Sequence, residues 1–495
     1  MYIKNPILRG MYPDPSICEA NGKFYMVTST FQYFPGVPLF ESEDCINWKQ
    51  IGHCLTRKSQ LLLDNAGNAG GIYAPTIRFH NGRFYMVVTN VNNIGNFYVY
   101  TDDIYGEWSE PILVKQDGID PSLYFEGDKT YFVSNGSDKL ADGAYIQICE
   151  IDIQTGEELT ESKVLWQGTG GRYLEAPHLY KFGAYYYLLE SEGGTEYGHM
   201  INYARSKTIW GPYESYAKNP VLTNRNLGGY QLQAAGHGDI VQDTDGNWWM
   251  VHLAFRQIDR WQPFHHLGRE TCLEPVVWDA DGWFSVADGT ARLEVEVEGI
   301  DKVQKPSRKT KTFDNLSTKL DWCYLRNPEE ENYRIEKDRI FLKGTKVDLN
   351  SILSPTFIGI RQDEMDCEIS VLVENHGQEA GLTFYQSENH HYDLFVRTRD
   401  GQNEVVLRSV IGQVIHEMKV IENTAQKVML KCKADPLYYN FYVESDTEEY
   451  LGKLDTRYLS SEVACGFTGV FIGLYAYDPS ENDSEACFEE FHLEE

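Results

Sequence analysis

The chain is poor in the features that mark membrane-bound, nucleic-acid-binding or disulfide-stapled proteins. No run approaches the ~20 apolar residues that span a bilayer. Basic residues are scarce: 44 Lys and Arg stand against 74 Asp and Glu, a net charge of −30. Such a field repels phosphate backbones and anionic lipid, which excludes nucleic acid and membrane surfaces as natural partners. It fits a neutral ligand, and it also keeps the protein soluble. The ten cysteines are scattered over 495 residues without a Cys-x-x-Cys pair, so reduced, mostly buried thiols are expected. The opening Met1-Tyr2-Ile3-Lys4-Asn5-Pro6 has neither the apolar core nor the cleavage site of a secretory leader, so a cytoplasmic location is expected. Helical periodicity is missing as well, because Gly and turn residues interrupt every window before a 3.6-residue period can establish itself.

What the chain does have is a repeat. Five strand cores share one pattern, a turn followed by adjacent aromatic or apolar residues: Asn21–Val27, Asn81–Val87, Gly127–Val133, Phe182–Leu188 and Asp245–Val251. They start anew every 46 to 63 residues. Short aromatic strands at that period predict the blades of a β-propeller. Trp48, Trp108 and Trp210 each fall 24 or 25 residues after the first aromatic position of their repeat, as a later strand or turn of a four-stranded unit would. Aromatic content of 13%, with 33 Tyr and 10 Trp, suits sheet packing and a carbohydrate-facing surface alike.

The length exceeds one usual domain. A five-bladed propeller is expected over 1–302. The polar, locally basic segment 301–312 reads as a linker, with a second domain over 313–495. Beyond the linker the repeat is lost. Strand-like segments at Asp366–Val373, His391–Arg397, Glu404–Arg408, Val428–Cys432 and Tyr438–Val443 alternate with turns, which predicts a β-sandwich.

Each repeat is preceded by a Pro- or Gly-marked cluster whose lead residue lies 10 or 11 positions before the first aromatic position: Asp14, Tyr73, Asp120, Glu175 and His237. Equivalent positions of a closed ring meet at its centre, so Asp14, Asp120, Glu175 and His237 are expected to share one funnel. Carboxylates held close together push their pKa values apart, so that one stays protonated while another ionises. Glycoside hydrolysis needs that division: an acid for the leaving oxygen and a base for water. A single Asp-Pro would be read as a strand start and turn cap; three carboxylates in register favour a site.

These residues carry a family resemblance. Asn5–Ile17 around Asp14, Gly118–Leu123 around Asp120, Leu174–Tyr180 around Glu175 and His266–Thr271 around Arg269 resemble glycoside hydrolase family 43, specifically its two-domain β-xylosidase/α-L-arabinofuranosidase group. The resemblance implies a five-bladed propeller with a central pocket, a C-terminal β-sandwich and an inverting mechanism. Carried over, Asp14 is the general base, Glu175 the general acid, and Asp120 holds the acid's pKa and orientation. Arg269 hydrogen-bonds sugar hydroxyls and helps keep Asp120 ionised; alone it would be read as a structural ion pair with Glu270 or another carboxylate. Phe31 packs on the sugar, and Tyr73 stands where relatives usually have Trp. His237 matches a histidine that holds a hydrated divalent cation, usually calcium; a buried hydrogen-bonding histidine is the alternative. No other cofactor is implied for the chemistry. In the sandwich, Gly466-Phe467-Thr468-Gly469-Val470-Phe471 resembles a loop that walls off the pocket, with Phe471 the first expectation and Phe467 the second.

The expected activity is release of D-xylose from the non-reducing end of short β-1,4-xylooligosaccharides, with α-L-arabinofuranosidase or dual activity, on arabinose-bearing oligosaccharides, as the near alternative. A carbohydrate-binding propeller without catalysis would not need Asp14, Asp120 and Glu175 together. A protein-interaction propeller would need neither these nor the Arg269 motif. The oligomeric state, a homo-oligomer included, is left open.

Overall fold

The paired aromatics are explained by the period of a strand. Successive side chains point to opposite faces, and each face of a blade meets a different neighbour. In the computed structural model, Tyr25 and Phe84 fill the core between blades one and two, with Phe24 and Trp249 in that between blades one and five. Tyr85 and Phe132 pack between blades two and three. Tyr131 and Tyr186 lie between three and four, and Tyr187 with Trp248 between four and five. Each pair thus supplies one ring to each of two cores, and replacing any of these rings with alanine is expected to cost about 3–5 kcal/mol.

The structure describes residues 2–138, 143–297, 310–313, 320–377, 379–399, 401–423, 425–480 and 484–495. The five propeller sheets are antiparallel. Their innermost strands are Ser16–Ala20, Thr76–His80, Ser122–Glu126, Glu175–Phe182 and Leu232–Gln242, which touch in ring order. Trp48, Trp108 and Trp210 fall in the turns between third and fourth strands. The ring closes where Tyr2–Lys4 pairs with Glu294–Glu296 and the Asn5 side chain bonds both backbone groups of Leu273. On the axis a buried cluster ties four blades together. Arg78 pairs with Asp239 at 2.8 Å, Ser16 Oγ donates to Asp239 at 2.7 Å, Tyr180 donates to the same carboxylate, and His178 lies 3.0 Å from Arg78.

Among the described residues the C-terminal region is a sandwich of two antiparallel sheets, each of eight strands. The strands expected from sequence appear as Cys367–Asn375, His390–Arg399, Gln402–Ile411, Lys427–Ala434 and Tyr438–Glu444. Residues 301–309 of the expected linker lie outside the described residues; Thr310–Thr312 pairs with the C-terminal strand Glu485–Glu494. One sandwich sheet ends on a strand from the propeller region: Tyr33–Phe34, between the second and third strands of blade one, pairs with Cys323–Leu325. Arg361 Nε donates to the Met11 carbonyl at 2.7 Å and Val470 N–H to that of His266 at 2.8 Å, so the sandwich is fastened beside the segments that carry Asp14 and Arg269. Cys465 is the exposed cysteine, the others are buried, and no disulfide joins described residues. No helix among the described residues is long and apolar enough to cross a membrane.

Candidate active site

Asp14, Phe31, Tyr73, Asp120, Glu175, His237 and Arg269 line one cavity of about 460 Å3, open mouth included, together with Phe467, Thr195, His199 and Ser191. The lead residues reach the centre through backbone that most side chains avoid. Asp14, Asp120 and His237 have φ of 55°, 53° and 51°, and Phe31 has 50°. Left-handed non-glycine residues cost about 1–3 kcal/mol each and cluster at functional sites. In blades four and five the innermost strands also shift register between Glu175 and His178 and between Gly236 and Asp239. Such bulges re-aim side chains.

Asp14 is held as an anion. Burial alone would raise its carboxyl, but Arg269, His237 and the Ser29 hydroxyl more than offset this and leave it below the ordinary carboxylate range. Arg269 Nη1 donates to Asp14 Oδ1 at 2.8 Å, Ser29 Oγ donates to Oδ2, and His237 Nδ1 is 3.6 Å from Oδ1. Glu175 is in the opposite condition: burial first, and then the Asp14 charge, push it up to about 7. Burial, followed by the Glu175 and Asp14 charges, pushes Asp120 well above its usual range. Asp120 Oδ2 accepts the backbone N–H of Ala176 at 3.1 Å, which fixes the chain next to Glu175.

One sequence expectation is extended and one corrected. Both terminal nitrogens of Arg269 hydrogen-bond the Asp14 carboxylate, at 2.8 and 3.4 Å, and, against burial, its charge also draws the Asp120 carboxyl down. Glu270 instead pairs with Arg256. Phe471 is not in the pocket. It opens the strand Phe471–Tyr477, paired on both sides with Arg361 and Tyr385; its fully buried ring stacks on Tyr33 at 3.7 Å. Phe467, the second expectation, takes the place at the pocket. Its ring lies 6.2 Å from Phe31 and 6.4 Å from Tyr73, with the Arg269 guanidinium 5.7 Å away. Arg269 Nε donates to its carbonyl at 3.3 Å. The approach depends on Gly469, where a Cβ would stand 2.2 Å from the Leu267 carbonyl oxygen.

The two phenylalanines should therefore respond differently. Phe467→Ala is expected to raise KM for the substrate about tenfold with little change in unfolding free energy, through lost apolar contact. Phe471→Ala is expected to cost about 3–5 kcal/mol in denaturant unfolding while kcat survives at permissive temperature. Paired kinetics and urea titrations check both.

Sequence reasoning missed Ser29, Thr195, His199 and Ser191. Thr195 Oγ1 accepts from Arg269 at 2.8 Å, and Ser191 Oγ accepts the backbone N–H of His237 at 2.7 Å. His199 is buried and its imidazole is pushed down to about 3, burial being the main cause. A faint signal existed: Ser29, Asn90, Asn135 and Ser191 each fall eight or nine residues beyond the first residue of their repeated strand core.

For a central cation the chain offers little. Among the described residues no group of three or more His, Cys, Asp or Glu side chains is placed to hold a metal. The His237 ring faces Asp14, and burial lowers its pKa. Calcium prefers six to eight oxygens, so a lone imidazole does not fit a protein-ligated ion.

The fold and site define a propeller glycosidase. Residues 3–284 match Glycosyl hydrolases family 43, and 310–494 match the Beta xylosidase C-terminal Concanavalin A-like domain. The chain belongs to glycoside hydrolase family 43. It is 38% identical to a non-reducing-end α-L-arabinofuranosidase of Bacteroides ovatus, over 99% of this chain and 94% of that one. It is 32% identical to a β-xylosidase of Bacillus subtilis over the whole of both. Among solved structures, a Bacteroides ovatus family 43 protein described with a xyloglucan locus superposes with TM-score 0.92 at 38% identity, covering 100% of this chain and 99% of that one. A xylan β-1,4-xylosidase of Bacillus halodurans superposes with 0.91 at 31% identity, over the whole of both.

Proposed function

We propose that the protein is an exo-acting, inverting glycosidase that removes single xylosyl units from the non-reducing end of short β-1,4-xylooligosaccharides. The observation that carries this is the arrangement of one pocket: Arg269 pairs with Asp14 at 2.8 Å and favours its ionised form, while burial and the Asp14 charge push Glu175 up to about 7. Asp14 takes a proton from water as the water oxygen bonds to the anomeric carbon. Glu175 gives its proton to the bridging oxygen as that bond breaks. Solvent then returns both groups to their starting states. Phe31, Tyr73 and Phe467 form an apolar wall for the sugar ring, and the sandwich loop narrows the cavity toward single end units.

A second reading has specific support. The Bacteroides ovatus relative named for α-L-arabinofuranose release is more similar to this chain than the Bacillus subtilis β-xylosidase is. Both pentoses offer comparable hydroxyls to Arg269 and Thr195. The deciding measurement is kcat/KM on 4-nitrophenyl β-D-xyloside against 4-nitrophenyl α-L-arabinofuranoside, with and without chelator. A preference for the xyloside supports the first reading, and the reverse the second. Turnover of neither would remove the glycosidase assignment.

A further inference from the structure

The loop that delivers Glu175 carries an exposed ring which the pocket itself does not use. Glu192, fully buried in blade four, pins this loop: its carboxylate accepts from the N–H of Thr169, from Thr169 Oγ1 at 2.9 Å and from the N–H of Gly171 at 2.6 Å. Arg172 follows, with Nε donating to the Gly193 carbonyl at 3.2 Å and its guanidinium paired with Glu196. Next comes Tyr173, 58% exposed at a φ of 54°. Its ring lies against Gly194, where a Cβ would stand only 3.1 Å away, and the Arg172 guanidinium is 5.2 Å from the ring centroid. Thr195, which meets Arg269, is the next residue of that facing loop. Tyr173 therefore stands outside the cavity lining, two residues before the acid and against the loop whose Thr195 lines the cavity and meets Arg269.

A large ring held in water, in a conformation that β-branched and bulky residues avoid, on a loop fixed by a buried carboxylate, is a costly arrangement for a surface residue. We infer that Tyr173 and Arg172 form a leaving-group subsite that binds the pyranose on the far side of the scissile bond. The inference rests on the glycosidase reading above. Glu175 must reach the bridging oxygen, so the departing sugar lies beside Glu175 and outside the closed end of the pocket. Tyr173 presents an apolar face to the C–H face of a pyranose, and the Arg172–Glu196 pair presents donors and acceptors to its hydroxyls. The substrate class is that of the reading above; what this adds is the pair of residues that would take its second pyranose and so favour it over a small or flexible leaving group.

The test is a ratio. Substrates are xylobiose, which places a pyranose in the subsite, and β-D-xylosyl fluoride, which places none there. Tyr173→Asn suits the backbone, since Asn tolerates positive φ; Tyr173→Trp restores an aromatic face. For the Asn variant the ratio of kcat/KM on xylobiose to that on the fluoride is expected to fall about tenfold, and the Trp variant to regain it. An unchanged ratio, or equal loss on both substrates, overturns the subsite. If the wild type prefers arabinofuranose, the same ratio is taken with an arabinofuranosyl-xylose disaccharide and arabinofuranosyl fluoride. A wild type that turns over none of these substrates overturns the glycosidase reading and the subsite together. Wild-type turnover with an indifferent Tyr173→Asn overturns the subsite alone.

Discussion

Glu175→Ala is expected to lower kcat/KM on xylobiose and alkyl glycosides by about 10²–10⁴-fold, the usual contribution of a positioned general acid. Aryl glycosides whose leaving group needs no proton should be partly spared. The reason lies in the proton inventory of the pocket. Burial and the Asp14 charge hold the Glu175 proton up to about 7, so the acid is loaded over the pH range in which Asp14 is already ionised. Activity should fall as pH rises through about 7, because the acid is then empty. On an activated aryl glycoside the variant should lose that alkaline limb. Steady-state kinetics on the two substrate types, each as a pH profile, checks the assignment. Equal loss on both would move the acid role away from Glu175.

Arg269→Met is expected to be nearly as damaging, by a different route. Arg269 is 4% exposed and Asp14 5%, so the substitution leaves a buried anion without its cation. An opposite charge at this range shifts a carboxyl by about 1–3 units, and removing it raises Asp14 toward protonation. In the wild type the acid limb of kcat/KM is expected below the ordinary carboxylate range, and in the variant it should move up. Arg269 also lowers Glu175, so the alkaline limb should move up as well. Because Arg269 also holds Thr195 and the Phe467 carbonyl, geometry is lost with charge, and about a hundredfold loss at the optimum is expected. A pH profile that merely drops, with neither limb displaced, would show that Arg269 positions sugar rather than tuning Asp14.

Much of this was legible in the sequence because a propeller writes its plan five times. The paired rings at Phe24-Tyr25, Phe84-Tyr85 and Tyr186-Tyr187 are a direct trace of a strand with a neighbour on each face. The lead residues Asp14, Asp120 and Glu175 could be placed on one axis because their offsets repeat. What does not repeat was harder. Nothing in the spacing says which of three carboxylates a single arginine will meet; Arg269 meets Asp14 and Thr195 from the residue just ahead of the strand Glu270–Trp278. Choosing between Phe467 and Phe471 required knowing where the strand begins. Pairing with both Arg361 and Tyr385 draws Phe471 into the sheet, whereas Phe467 stays in the turn ahead of it. Ser29 and Thr195 carry ordinary small hydroxyls, visible only once the second strands are seen to end at the pocket.

An ionised carboxylate beside a protonated acid serves inverting and retaining glycosidases alike; the proposed mechanism is inverting because Asp14 activates water instead of bonding the anomeric carbon, which puts water and the leaving group on opposite faces. Proton NMR of the first product formed from a β-xyloside, recorded before mutarotation equilibrates it, is the most direct test. Inversion by Asp14 and Glu175 requires α-D-xylose to appear first, and for an α-L-arabinofuranoside the β-anomer. Initial release of β-D-xylose would mean retention through a covalent intermediate, and would contradict the roles given to both carboxylates.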